Sequence, residues 1–448
     1  MMKWENLLRP FDPNIKDEET AYMIRSEFER DFDRIVFSAP FRNLQDKTQV
    51  FPLPESNFVH TRLTHSLEVS SVGRSLGKST GEFLLEKYPA LSQKKITPTD
   101  MGAIVAAAAL AHDIGNPPFG HAGEEAISDF FKFHPFGQPW QEFLSQEEWT
   151  DMVNFEGNAQ GFRMLVDKKN GLNISSATLA AFTKYPGSSS ITKEKSLRKS
   201  QKKYGFFSDQ SHHFQALARS LGLIQFNADS WVRHPLAFLV EASDDICYNI
   251  IDLEDGCTLG LVSLEESIEL LADIIGEKFS PQKLQTLETP AQKLAILRAM
   301  SINQLIQETV AAFKENEEKM LTGEFDQALT EIIPSAKALS KISVISIHKI
   351  YRSKPVLEKE AAGFQVLEGL LGVFSKAVYH KFYDQANFSG QDKSILRLLP
   401  DHFPLEGWSR DTNPYPLLRA MIDFISGMTD KYALSLYRRV KGISLPGV

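Results

Sequence analysis

Two histidines and two aspartates stand where helices can carry them to one point: His65 in "RLTHSLEV", the adjacent His112 and Asp113 in "HDIGNPPFGHAGEE", and Asp244 in "EASDDICYNIID". Each lies in a strongly apolar helical neighbourhood, where a carboxylate without a partner is costly, so compensating positive charge is required. A divalent cation supplies it. Neighbours on a helix point about 100° apart, yet at the last turn a His and the following Asp can both reach one ion. Two imidazoles with two carboxylates suit Mg, Mn, Fe, Ni or Co better than a thiolate-preferring site. The same motif adds proton chemistry. "GNPPFGH" breaks the helix after Asp113 and "GHAGEEAI" starts another, so His121 and Glu124, three residues apart, share a face at a helix start. A carboxylate there can hold the His in one tautomer and raise its basicity, as in a proton-transfer dyad. On spacing alone, a hydrogen-bonded structural role for each His stays open beside these readings.

Three helices must position these groups. "TRLTHSLEVSSVGRSLGKSTGEFLLEKY" (61–88) carries apolar residues near helical intervals, and His65 sits on it. "TDMGAIVAAAALAHD" (99–113) offers Thr99 and Asp100 as N-cap candidates and is then apolar on every face, which predicts a helix buried all round. "PLAFLVEASDDICYNIIDLED" (235–255) opens with Pro at a position suited to N1 and predicts a third buried helix, with Gly256 as its stop. Between the last two, the Ser, Gly and Lys-rich stretch 185–211 predicts a mobile surface excursion. Its residues 193–203 hold six Lys or Arg against one Glu, read either as a solvated loop or as a contact for phosphates. After about residue 258 the chain reads as further amphipathic helices.

With 448 residues the chain exceeds the usual single-core limit, and 42% hydrophobic with 24% charged residues is an ordinary globular balance. No long period-2 alternation occurs, so the expected fold is mostly α, divided into a core with the basic insertion (1–257) and a helical C-terminal region (258–448). A formal charge of −8 argues against constitutive nucleic-acid binding while leaving room for a local positive pocket. Cys247 and Cys257 are too few for a disulfide framework and fit a reducing cytosol. No signal-peptide h-region and no stretch of membrane-span length is expected, which points to a cytoplasmic protein without membrane contact.

The ordered set H…HD…D, together with "RLTHSLEV", "HDIGNPPFGHAGE", "NFEGNAQ" (154–160) and "EASDDICYNIIDLED", looks like the HD-domain superfamily. Within it the chain closely resembles the deoxyguanosinetriphosphate triphosphohydrolase family, from about Phe32 to Asp255 and again in "GMTDKYA" (427–433). The resemblance implies an HD-domain helical core with an α-helical C-terminal appendage. It implies His65, His112, Asp113 and Asp244 as ligands of a divalent metal, Mg or Mn first, with Asp245 the less favoured carboxylate. His121 and Glu124 become the catalytic pair. Arg62 is implied at the α-phosphate, Gln49 and Tyr248 at the deoxyribose, Asp252 at its 3′-OH, and Arg352 with Lys354 at the triphosphate. Glu156 and Asn158 are implied near the site without an assigned role. The activity implied is hydrolysis of dGTP, or other dNTPs, to deoxynucleoside and inorganic triphosphate. Competing readings are an HD phosphohydrolase acting on another nucleotide and a non-catalytic nucleotide-sensing or nucleic-acid-binding oligomer. Family members further imply a homo-oligomer, hexameric or otherwise even, with a regulatory nucleotide or single-stranded DNA as partner.

Overall fold

The computed structural model describes residues 1–10, 25–50, 60–167, 170–190 and 198–444. The described residues are mostly helical, and their strands form one antiparallel pair, Gln225–Asn227 with Ser230–Trp231. The helices that build the site are α1 (Glu27–Val36), α2 (Arg62–Lys87), α3 (Pro98–Ala111), α4 (His121–Phe133), α5 (Gly157–Val166), α6 (Pro235–Thr258), α7 (Pro290–Thr322), α8 (Lys354–Phe382), α9 (Tyr415–Ser426) and α10 (Asp430–Val440).

At the centre α2 and α3 lie backbone to backbone. Gly73, Gly77 and Gly81 recur every fourth residue along one stripe of α2, facing Val105 and Ala109, Met101 and Gly102, and Pro98 and Met101 of α3 in turn. A Cβ on Gly77 would stand 2.6 Å from the Met101 carbonyl oxygen, and one on Gly81 2.9 Å from Pro98 Cα. This close approach brings the His65 and His112 rings to 5.3 Å between centroids. Helix α6 packs across both, and α1 and α7 close the outside.

Three local expectations change. The cap of α3 is Thr97, not Thr99 or Asp100: Thr97 Oγ1 accepts from Asp100 N–H, and Asp100 Oδ2 accepts from Thr97 N–H at 2.9 Å. Pro98 at N1 extends the helix to that box, a cap that contributes about 1 kcal/mol. Gly256 does not stop α6, which runs to Thr258; the missing side chain makes room for Ile350, whose Cδ1 a Cβ would meet at 2.4 Å. The stretch 185–211 is not a surface excursion where it is described: Ser188, Ser189, Ser200, Tyr204, Phe206 and Phe207 are buried, with Asp151 receiving Ser189 and Ser208 hydroxyls. Residues 191–197 lie outside the described residues.

The apolar interior falls into two clusters. One gathers α1, α2, α3, α6 and α7; the other gathers α4, α8, α9 and α10. Each draws residues from both sides of residue 257. Contrary to expectation, one described helix, α8, is long and apolar enough to cross a membrane by length and composition. Val366, Leu367, Leu370, Leu371 and Phe374 of that helix are buried in the second cluster, packed with α4, α9 and α10.

Candidate active site

His65, His112 and Asp113 offer ligand atoms that all lie within 4.8 Å of one another. Asp244 joins them from α6, its Oδ1 3.2 Å from His65 Nε2 and 3.6 Å from His112 Nε2. His112 Nδ1 donates to the Ala109 carbonyl at 2.7 Å, a bond to the last turn of α3 that fixes the tautomer. His112 Nε2 therefore faces carboxylate oxygens of Asp113 and Asp244 at 3.5 and 3.6 Å. Such a contact needs positive charge, either a proton on Nε2 or a divalent cation between the groups, and two imidazoles with two carboxylates are a donor set that fits the cation. Burial raises the Asp113 pKa, but Arg62, His112 and His65 outweigh it and bring it to about 2. In Asp244 burial likewise works upward, and His112, His65 and Lys184 hold the carboxyl well below its usual range. Asp245 turns away: its Oδ2 accepts from Thr330 Oγ1 at 2.6 Å, and burial pushes its pKa up to about 6. The structure thus gathers the four predicted ligands and leaves Asp245 outside them.

A cavity of about 520 Å³ opens above this cluster. After Asp113 the chain turns through Pro117 and Pro118, Phe119 and Gly120 take positive φ (+65° and +62°), and α4 starts at His121. Glu124, 8% exposed, fixes the pair from below: Oε1 accepts from Gly157 N–H at 2.8 Å, and Oε2 lies 2.8 Å from His121 Nδ1. The Glu124 bond, opposed by burial, raises the His121 pKa. With Nδ1 engaged, Nε2 is left for the cavity, where the imidazole is 81% exposed. A Cβ at Gly157 would stand 2.3 Å from Asn116 Oδ1 and 2.6 Å from Glu124 Oε1, so a side chain there would displace the carboxylate that holds His121.

Arg62 lies 8% exposed in the wall, Nη1 2.6 Å from Asp113 Oδ2, with Nε lacking a hydrogen-bond partner. Gln49 also lines the cavity, and its buried Oε1 has no partner among the described residues. Tyr248 lines it too, stacked on Tyr351 at 5.4 Å between centroids.

Three expected contacts are corrected. Asp252 does not face the cavity: it is 2% exposed, Tyr351 Oη donates to its Oδ2 at 2.6 Å, and Tyr351 takes the place in the wall. Burial, partly offset by that bond, pushes the Asp252 pKa up to about 7. Arg352 and Lys354 are exposed and not among the lining residues, Lys354 lying 3.7 Å from Glu358. Helix α8 begins at Lys354, and its residues that line the cavity are Val356, Lys359 and Glu360, which leaves Lys359 as the cation it contributes.

Sequence reasoning missed Lys184, Lys359 and Tyr351 in this wall and reached Lys203 only as part of the basic run 193–203. Lys203 belongs to the basic run, where its neighbours Arg198 and Lys199 are spent on Asp326 and Glu331. Glu156 holds Lys203 at 3.1 Å and accepts from Asn158 Nδ2 at 2.7 Å, which gives "NFEGNAQ" its place: one residue for Glu124, another for Lys203. Lys184 leans on buried Glu241 at 3.4 Å. Among the described residues, four cationic side chains therefore line a cavity whose floor carries a His and Asp cluster that could bind a metal.

A family model described as HD domain matches residues 62–159, and one described as phosphohydrolase-associated domain matches 334–439. Among curated relatives, a deoxyguanosinetriphosphate triphosphohydrolase-like protein of Synechocystis is 39% identical, covering 99% of this chain and all of the relative. A protein of the same description from Pseudomonas aeruginosa is 38% identical over 99% of this chain and all of its own length. The deoxyguanosinetriphosphate triphosphohydrolase of Yersinia pseudotuberculosis is 30% identical, covering 96% of this chain and 97% of the relative.

Proposed function

The chain belongs to the family of deoxyguanosinetriphosphate triphosphohydrolase-like HD-domain proteins, and from that premise we propose that it is a cytoplasmic, metal-dependent dNTP triphosphohydrolase acting first on dGTP. Water adds to the α-phosphorus, the bond from that phosphorus to the 5′ oxygen breaks, and the 5′ oxygen gains a proton. The products are deoxynucleoside and inorganic triphosphate. The observation that carries this reading is the His121–Glu124 pair standing over the His65, His112, Asp113, Asp244 cluster in a cavity walled by Arg62, Lys184, Lys203 and Lys359.

His65, His112, Asp113 and Asp244 would hold a divalent cation, Mg or Mn first with Fe, Ni or Co compatible with the donor set, and when bound it would supply Lewis-acid chemistry toward the phosphate. Arg62 keeps one arm on Asp113, so its fork is preorganised toward the α-phosphate. The lysines spread the charge of the departing triphosphate. His121, held through Nδ1, exchanges a proton at Nε2, either giving it to the 5′ oxygen or taking it from the attacking water. Gln49 and the Tyr248–Tyr351 stack lie against the sugar.

A homo-oligomer, hexameric or otherwise even, with control by nucleotide or single-stranded DNA, belongs to the same reading. Val344, Ile347 and Leu357 are exposed beside Arg352 and Lys354, which supports a subunit contact there.

The test is to strip the protein of metal, add back Mn or Mg, offer each dNTP and NTP, and identify both products. Inorganic triphosphate supports the proposal. Phosphate or pyrophosphate would move the chain to another HD phosphohydrolase chemistry, and tight dGTP binding without turnover would make it a sensor.

A further inference from the structure

The motif "GMTDKYA" enters neither the cation cluster nor the cavity wall, yet it is tied to both. Asp430, the first residue of α10, is 3% exposed and lies between three segments of the wall. Its Oδ1 accepts from Phe119 N–H at 3.0 Å. Its Oδ2 accepts from Thr48 N–H at 3.2 Å and from Thr48 Oγ1 at 2.7 Å, and Lys359 Nζ stands 3.6 Å away. Thr48 precedes Gln49; Phe119 leads through Gly120 to His121; Lys359 lines the cavity itself.

The neighbouring residues repeat the tether. Asn43 Nδ2 donates to the Gly427 carbonyl at 3.2 Å, Lys47 Nζ to the Ser426 carbonyl at 2.8 Å and to the Asn116 carbonyl at 2.6 Å, and Lys431 Nζ to Asp46 at 2.7 Å. The turn 426–431 therefore runs along segment 43–48 as a brace. Phe119 needs such support. It is a bulky residue at φ +65°, a conformation costing on the order of 1–3 kcal/mol that persists only where its surroundings impose it. Asp430 grips its amide, and Gly363 of α8 leaves room for its side chain, since a Cβ there would stand 2.8 Å from Phe119 Cβ. Burial lowers the Lys359 pKa to about 8, an effect that Asp430 partly offsets.

We propose that Asp430 is a positioning residue: it touches none of the reacting atoms, and its two carboxylate oxygens hold Gln49, the turn delivering His121 and the Lys359 side chain in one frame. This rests on the reading of the cavity as a dNTP site, and the test separates the two. Full-length Asp430→Asn and Asp430→Ala are compared with wild type by amide hydrogen exchange, bound manganese and steady-state kinetics of triphosphate release. Expected are faster exchange in peptides spanning 43–50 and 117–123 with α2 and α3 unchanged, manganese retained, and kcat down roughly 100-fold. Asp430→Glu, which keeps the charge on a longer arm, should recover part of that loss. Wild-type exchange in both peptides overturns the inference, as does wild-type kcat in a folded variant. Exchange that rises throughout α2 and α3 as well would reduce Asp430 to general structural support and also overturn it. Should wild type release no triphosphate from any dNTP, the proposed function fails, and the exchange pattern still decides whether Asp430 sets these segments.

Discussion

His121 depends on Glu124 for both direction and charge. The buried carboxylate holds Nδ1 and raises the imidazole pKa, so the protonated form survives to higher pH than in a free histidine. His121→Ala should lower kcat by roughly 10²–10⁴ while bound manganese, measured by mass spectrometry, stays at the wild-type level; loss of the metal would place His121 among the ligands. Glu124→Gln removes the anion that raises the pKa. The limb of the pH–kcat/KM profile that belongs to His121 should therefore move to lower pH, whichever way the proton travels, and an unmoved profile would separate the two residues. As candidates, His65, His112, Asp113, His121 and Glu124 could be picked out of the sequence because each sits near a helix end, whereas Asp244 lies in the middle of α6. The wall was less legible. "YRSKPVLEKEAAG" is the right stretch, yet the residues that reach the cavity are Tyr351 and Lys359, not Arg352 and Lys354, since that depends on where α8 begins and how it packs. Asp252 follows helical spacing from Asp244, but Tyr351, from a distant segment, covers it. No local pattern encodes such a partner.

Among the elements, the α2–α3 contact decides whether His65 and His112 meet. Substituting Ala for Gly inside a helix ordinarily stabilises it by roughly 0.5–1 kcal/mol. At Gly77 the added methyl would stand 2.6 Å from a backbone oxygen, so overpacking reverses the sign. Gly77→Ala should cost about 1–3 kcal/mol in urea unfolding and weaken manganese binding by separating the helices. Gly390, the first residue of the short helix Gly390–Leu396, has nothing within 4 Å of its Cβ position and serves as an uncrowded control, where Gly390→Ala should gain about 0.4–1 kcal/mol. Equal stability of the two variants would remove the close contact as the cause. The buried Ala-rich helix and its neighbours could be read from periodicity, whereas their ends could not: Thr97 outranks Thr99 because Pro98 suits N1, and Gly256 serves packing rather than termination.

Across the whole molecule the site joins two apolar clusters. The cation ligands ride on, or at the end of, α2, α3 and α6 of the first, while His121, Glu124, Lys359 and Asp430 ride on α4, α8 and α10 beside the second. A ligand stabilises those parts of the fold that must be formed to bind it. Manganese alone should therefore slow amide exchange in α2, α3 and α6 and leave peptides 117–124 and 354–363 near their metal-free rates. A non-hydrolysable dGTP analogue added with manganese should slow these peptides too, because Arg62 and Lys184 on one side and His121 and Lys359 on the other line the same cavity. The charge balance favours this division. Asp113 and Asp244 are already held ionised by neighbouring cationic groups, so metal uptake requires little rearrangement, while Lys184, Lys203 and Lys359 rest on Glu241, Glu156 and Asp430 until the nucleotide's phosphates bring further negative charge to them. Equal protection of both clusters by manganese alone would mean that the cation, rather than the nucleotide, draws the two halves of the site together.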